Sequence, residues 1–203
     1  MGIPLLSVRH YDNIYIRTSN NKNEMRNNDI IKIAEILRDL GIDPDITSFD
    51  SRLRIQKTVF ILKSMGISLD YPFEFYRGGH GVYSRKLAND YYNDRILLAS
   101  KSPPSTLNED EKAKLHQFKK IDYLNNKMLE AISSIIYLDL VYDFQEDVVA
   151  EIKPIKPHIG HDTVLLAQNL TKMLLFKEEY LTEDIVKEMQ IWDALDDDSN
   201  YQP

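Results

Sequence analysis

The segment Ser51–Gly66, SRLRIQKTVFILKSMG, decides the fold of this chain. At about 100° per residue, its apolar side chains spread almost all round a helix, which is the pattern of a buried helix. We therefore predict a central helix from about Ser51 to Met65, with Asp50 or Ser51 as its N-cap and Gly66 as its stop signal. One narrow polar strip remains on this helix, and it carries Arg52, Gln56 and Lys63.

An aromatic strand and a glycine-rich segment follow the helix. Residues Asp70–Arg77, DYPFEFYR, alternate aromatic and polar side chains and predict a short strand, which Pro72 places at a sheet edge. The glycines after it permit a positive φ and a tight reversal. With Ser84 as a good N-cap, this stretch is predicted to be a corner at which the strand passes into a helix.

The same glycines raise the question of a phosphate-binding loop. A Walker-type loop needs Lys and Ser or Thr directly after its last glycine, so that the lysine and backbone N–H groups meet the phosphate. Here Gly81 is followed by Val82 and Tyr83. A dinucleotide pattern that starts at Gly79 would need a glycine where Ser84 stands. Nucleotide binding is therefore disfavoured, although a helix N-terminus beside basic side chains is a favourable place for an anion.

The rest of the chain is predicted to be helical and to form a single domain. Residues 1–27 are predicted to be a weakly ordered N-terminal extension, with Met25 as a hypothetical natural start. The domain covers residues 28–190, as lobes 28–99 and 109–190 joined by a linker at 100–108, and residues 191–203 form an acidic tail. The other predicted helices are Asn28–Leu40, one from Ser84, Glu109–Phe118, one ending near Leu140, Val148–Ile152, Thr163–Lys177 with Asp162 as cap, and Thr182–Leu195.

Composition is that of a soluble globular protein, with 43% hydrophobic and 28% charged residues among 203. The apolar runs fall short of the roughly 20 residues that span a bilayer, and the N-terminus lacks the pattern of a signal peptide. The absence of cysteine excludes disulfides and thiolate metal sites. We expect a cytoplasmic protein with no membrane segment and no cofactor.

Charge is unevenly placed along the chain. The net charge is −7, yet Arg52–Lys86 carries seven Lys/Arg against two acids, and Glu178–Asp198 carries nine acids against one base. Either the basic segment makes a local patch for an anionic partner, or the opposite charges merely keep the surface soluble. The candidate partner- or anion-binding residues are Arg52, Gln56, Lys57, Lys63, Arg77, His80, Tyr83, Arg85 and Lys86.

Aromatic residues are concentrated in the same region. Such side chains can stack on nucleic-acid bases, or they can form half-buried core between a strand and its neighbouring helices. The second interpretation is favoured. The cluster consists of Tyr71, Phe73, Phe75, Tyr76, Tyr83, Tyr91 and Tyr92.

A metal site is the remaining chemical alternative. His158, His161 and Asp162 stand close together in sequence, and a His-Asp dipeptide is typical of metal-dependent HD phosphohydrolases. That site also needs an earlier histidine and a later aspartate, for which the chain supplies His116 and either Asp184 or Asp193. The favoured interpretation is a turn followed by Asp162 as a helix cap.

Three segments resemble the YwgA-like family of uncharacterised bacterial and archaeal proteins. They are RIQKTVFIL (54–62), FEFY (73–76) and GVYSRKLA (81–88), which are similar to that family's Leu-Gln-Lys-Leu helix, aromatic strand and Gly-Pro-Tyr-Ser turn. The likeness covers roughly residues 50–176, with Val82 where the family has proline. More distantly, the Gln-Lys helix and the Tyr-Ser turn look like the Panacea antitoxin domain, whose members bind or neutralise toxin partners.

The resemblance implies a mostly helical, winged-helix-like domain without a known enzymatic site. Its matching positions are Gln56, Lys57, Tyr83 and Ser84, where a buried Gln and a buried Tyr hydroxyl would tie the central helix to the turn. We therefore expect an α+β, predominantly helical fold with a non-enzymatic regulatory role, contacting nucleic acid or a protein partner through residues 52–86. The alternatives are an antitoxin-type protein-interaction module without nucleic-acid binding, and a metal-dependent phosphohydrolase.

Overall fold

The computed structural model of the chain describes residues 21–76, 81–121, 125–142, 148–175 and 187. Within these ranges the fold is predominantly helical with one two-stranded sheet, which confirms the predicted α+β class. The finer, winged-helix-like description stays a prediction. The described elements are α1 (Asn21–Asp39), α2 (Phe49–Ser64), β1 (Glu74–Tyr76), β2 (Gly81–Tyr83), α3 (Arg85–Asn93), α4 (Arg95–Leu98), α5 (Glu109–Lys119), α6 (Asn126–Tyr142), α7 (Val148–Ile155) and α8 (His161–Leu175).

Helix α2 is the central, buried helix that the sequence predicts. An unbroken run from Ile55 to Leu62 is buried, and the helix packs against α5, α6 and β2. Its predicted cap is wrong by two or three residues, because Ser48 has the extended backbone of an N-cap and its Oγ accepts a hydrogen bond from the Ser51 N–H at 3.0 Å. Asp50 and Ser51 already lie inside the helix.

The strand predicted over Asp70–Arg77 is shorter in the structure, where β1 covers only Glu74–Tyr76. A second strand, β2, lies where the sequence predicted a corner between strand and helix. β1 and β2 pair antiparallel, with Phe75 opposite Val82 and Tyr76 opposite Gly81. Gly81 has a φ of 76°, a conformation that L side chains rarely adopt. Ser84 then caps α3 as predicted, with its Oγ accepting from the Leu87 N–H at 3.3 Å. The chain therefore turns as a hairpin before it enters the helix.

The predicted linker 100–108 is irregular but firmly held. The buried Glu35 carboxylate on α1 accepts hydrogen bonds from the Ser105 hydroxyl at 3.1 Å and from the Thr106 backbone N–H at 2.6 Å. Burial alone raises the pKa of Glu35, but the bonds from Thr106 and Ser105 lower it more, so the net pKa is lowered. Apolar residues before and after this linker belong to one core cluster, which includes Ile33, Ile61, Ile132 and Val164.

Other helix ends differ from the predictions by a few residues. α1 begins at Asn21, earlier than the predicted Asn28, and α8 begins at His161, so Asp162 lies in its first turn and is not its cap. Residues 1–20 and the predicted last helix, Lys187 apart, lie outside the described residues. Among the described helices, none combines the length and apolar character that crossing a membrane requires.

Candidate functional site

An open groove of about 500 Å³ lies between α2, the hairpin and α3. α2 supplies the residues on one side, β1 and β2 supply a second wall, and α3 completes the groove. Its described lining consists of Phe49, Arg52, Leu53, Gln56, Lys57, Tyr76, Gly81, Val82, Tyr83, Arg85, Tyr91 and Tyr92. Five of the nine candidate residues of the sequence analysis are therefore brought together here.

Aromatic side chains at the groove are unusually open to solvent. Phe49 is 50% exposed, Tyr83 37% and Tyr92 44%, and these are the exposed large aromatic side chains among the described residues. The Tyr76 and Tyr83 rings meet edge to face with centroids 6.0 Å apart. The predicted half-buried aromatic core is thus correct for Phe73 and Phe75, whereas Tyr83 and Tyr92 are partly on the surface.

Two arginines give the groove its charge. Arg52 Nη1 donates to the Ile46 and Thr47 carbonyl oxygens at 2.8 Å, which holds its guanidinium beside α2. Arg85 is exposed and its Nε donates to the Tyr76 hydroxyl at 3.2 Å. No Asp or Glu is found among the described residues that line the groove. The nearest acid to Arg85 on this path is Glu74, whose carboxylate accepts from the Tyr76 hydroxyl at 2.8 Å outside the described lining. The site therefore presents aromatic surface beside two arginines.

The other basic candidates have different neighbours. Lys63 Nζ donates to the Tyr71 carbonyl at 2.7 Å. Lys86 Nζ forms an ion pair with the Asp70 carboxylate at 2.6 Å, also binds the Asp70 carbonyl, and lies 5.1 Å from the centroid of the Tyr71 ring. Arg77 and His80 lie outside the described residues. The predicted basic region is thus divided. Among the candidates with described side chains, Arg52 and Arg85 line the groove as arginines, and Lys57 lines it as a buried amine.

Gln56 fixes the wall of the groove to α2, as expected for a buried glutamine that needs hydrogen-bond partners. Its buried amide donates to the Ser84 carbonyl at 3.0 Å and accepts from the Ser84 N–H at 2.9 Å. A second tie through a buried Tyr83 hydroxyl was also expected, but Tyr83 is on the surface because its strand position points it outward. Burial raises the pKa of Tyr91, and its side-chain hydrogen bond with Gln56 offsets part of that rise.

Replacing Gln56 with leucine is expected to lower the free energy of unfolding by about 2 kcal/mol, because the buried N–H of Ser84 would lose its partner. The Ser84 carbonyl would lose one of two donors and keep the Ala88 N–H at 3.1 Å. Urea denaturation measures this loss as a shift of the midpoint at constant slope. Gln117→Leu is the matched control, since Gln117 donates one half-buried bond to the Met173 carbonyl. An equal loss in both variants would contradict the role given to Gln56.

Lys57 is a buried amine at the floor of the groove. It is 2% exposed, and its Nζ donates to the Val82 carbonyl at 2.5 Å. Burial lowers its pKa to about 7, with the nearby Glu130 opposing and Lys156 reinforcing the change. Lys57, a candidate for binding an anionic partner, is therefore buried inside the protein. Its burial could have been predicted from its position, because it lies within the apolar run of α2.

Behind the hairpin, Lys57 faces an ion pair that the sequence analysis missed. Lys156 Nζ donates to Glu130 Oε1 at 2.7 Å with both side chains buried, and His158 Nε2 lies 3.3 Å from Glu130 Oε2. Burial raises the pKa of Glu130. The interactions with Lys156 and then with His158 lower this pKa by more than burial raises it, so the net pKa is lowered. A Cβ at Gly81 would lie 3.3 Å from Lys156 Nζ, so the glycine also lets the strand lie against this pair.

The predicted metal ligands are not gathered around one point. His158 faces Glu130, whereas His161 and Asp162 are exposed at the start of α8, and His116 is exposed on α5. Asp184 and Asp193 fall outside the described residues. Across the described part of the chain, no group of three or more His, Asp or Glu is arranged to hold a metal ion.

Comparisons of the chain with protein families, with curated proteins and with solved structures find no match. The resemblance to the YwgA-like family and to the Panacea domain therefore stays a prediction that rests on the segments quoted above.

Proposed function

We propose that this protein is a non-enzymatic, cytoplasmic regulator whose groove binds a segment of a protein partner that carries apolar side chains beside carboxylates. One observation carries the proposal: exposed aromatic rings and two arginines share a groove whose described lining holds no carboxylate. Aromatic and arginine side chains are the residues that most often dominate the energy of protein interfaces. Two guanidinium groups on an apolar floor favour a segment with negative charge at its edges.

A protein partner fits this groove better than nucleic acid does. Nucleic-acid binding draws most of its affinity from many phosphate contacts along a basic surface. Of the basic candidates, Lys57 is buried under the groove, and Lys63 and Lys86 are bound to the Asp70–Tyr71 segment. Among the basic candidates that the structure describes, the two arginines that remain are few for a phosphate backbone, but they suffice for one acidic peptide segment.

Panning a displayed peptide library on the full chain is expected to enrich peptides with an aromatic or aliphatic anchor flanked by Asp or Glu. Binding of a selected peptide, followed by fluorescence anisotropy, should weaken about tenfold in Tyr83→Ala, because a central aromatic contact is worth more than about 1.4 kcal/mol. Arg85→Glu should weaken it further through charge repulsion.

Two controls make the binding test specific. Leu165→Ala alters a side chain of similar exposure on α8, 42% against 37% for Tyr83, and should leave binding unchanged. Arg54→Glu reverses the charge of an exposed α2 residue that does not line the groove, and it should also leave peptide binding unchanged. Steeply salt-dependent binding of single-stranded or duplex DNA that is lost in Arg85→Glu, with no peptide selected, would replace this proposal by the nucleic-acid one.

A further inference from the structure

The groove and the acidic C-terminal segment of the same chain have complementary chemistry. Residues 190–198, QIWDALDDD, place Ile191, Trp192 and Leu195 among four aspartates. The groove offers aromatic rings with Arg52 and Arg85, and its described lining carries no acid of its own. An apolar anchor flanked by carboxylates is therefore the kind of segment that it can hold.

The acidic segment can reach the groove of its own chain. α8 ends at Leu175 and packs on α6, which in turn packs on α2 and β2, two elements of the groove. Sixteen residues separate Leu175 from Trp192. A chain of that length extends up to about 55 Å, whereas a compact domain of this size is roughly 45 Å across.

The other terminal segment does not have this chemistry. Residues 1–20 contain two arginines and one aspartate, so they bring positive charge to a groove that is already positive. Residues 178–198 carry nine acids against one base. Charge complementarity thus selects the C-terminal segment of the two.

We propose that residues 190–198 dock in the groove of their own chain, with Trp192 among the aromatic rings and the aspartates beside Arg52 and Arg85. This inference rests on the proposed function, because both use the same groove. A protein partner must then displace the segment, so its apparent affinity falls by the fraction of chains in which the groove is open. The segment thereby sets the partner concentration at which binding begins.

Trp192 is the single tryptophan of the chain, so its fluorescence reports docking in the unmodified protein. We expect its emission to be blue-shifted, and its quenching by acrylamide weaker, than in a synthetic peptide of residues 187–199. Arg85→Glu and Tyr83→Ala should each shift the emission to the red and increase quenching towards the peptide value. Added salt should act in the same direction, because it screens the charge pairs.

Arg54→Glu is the matched control, since it changes the net charge equally on an exposed arginine outside the groove, and it should leave the emission unchanged. Emission and quenching equal to those of the free peptide would overturn the inference. So would protection of Trp192 that neither groove variant relieves. Protection that grows with protein concentration, together with a dimer mass by light scattering, would assign the groove to the segment of a second copy.

A chain with Trp192→Ser and with Asp196, Asp197 and Asp198 changed to Asn separates this inference from the proposed function. We expect it to bind a library-selected peptide more tightly than the unmodified chain does. If both chains bind the peptide equally and Trp192 is exposed, docking is wrong while the groove remains a partner site. If Trp192 is protected but neither chain selects a peptide, docking holds and the proposed partner function fails.

Discussion

Glu130→Gln is expected to lower the free energy of unfolding by about 4 kcal/mol, a large part of the 5–15 kcal/mol typical of a domain. Glu130 compensates the buried Lys156 at 2.7 Å and also favours the charged form of the buried Lys57. Removing its charge takes a carboxylate away from two amines that are buried in the core. Urea denaturation at pH 7 measures the loss.

The same substitution on the surface provides the control for Glu130. Glu109 is 90% exposed and pairs with Lys112 at 2.7 Å, so Glu109→Gln should cost no more than about 0.5 kcal/mol. Glu130→Gln combined with Lys156→Met should recover part of the loss, because the double variant removes the buried Lys156 charge together with the carboxylate that compensates it. A loss below about 1 kcal/mol in Glu130→Gln, or no recovery in the double variant, would show that the pair carries little energy.

Stability should rise with pH through the titration of Lys57. Below about pH 7 the amine is protonated in both states, and the folded chain bears the full cost of burying its charge. Between about 7 and the ordinary value of 10.5, the unfolded chain holds this proton and the folded chain has released it. The free energy of unfolding therefore increases with pH across that window, by roughly 5 kcal/mol if the window is traversed completely.

Lys57→Met isolates this effect, because the other titrating groups are common to both proteins. The difference in unfolding free energy between wild type and variant should change by several kcal/mol between pH 6 and pH 10, in favour of the wild type at high pH. Lys120→Met is the control for loss of one positive charge, because it removes an exposed lysine at the end of α5. A flat difference for Lys57→Met would mean that Lys57 keeps its proton throughout.

The sequence pattern predicts α2 well, because a helix with apolar side chains on all sides can bury them only inside a core. It places the cap wrongly because Asp50, Ser51 and Ser48 are all good caps, and the choice depends on where the preceding loop turns. β2 is missed because three residues are too short for an alternation signal. Local patterns thus identify elements more securely than they identify their ends.

The site is predicted in part, and the missing part is non-local. Arg52, Gln56, Tyr83 and Arg85 are found from spacing and from the resemblance. The Glu130–Lys156 pair joins residues 26 positions apart, and no local pattern of the sequence connects them. Lys57 was predicted to be a binding cation because its charge was weighed without its burial. Only three-dimensional contacts show that Lys57 lies close enough to this ion pair to interact with both of its members.

The hairpin wall of the groove is bonded to α2 at two points, Val82 to Lys57 and Ser84 to Gln56. We therefore expect floor and wall to move as one body, so that the groove keeps its shape whether or not it is filled. An arriving segment then orders only its own side chains, at about 0.5–1.5 kcal/mol for each long one. Preorganised partners of this kind associate with backbone shifts of less than about 1 Å. Once the docked segment has left the groove, association of a partner should thus be a single kinetic step, in which selectivity comes from the rigidity of the receptor.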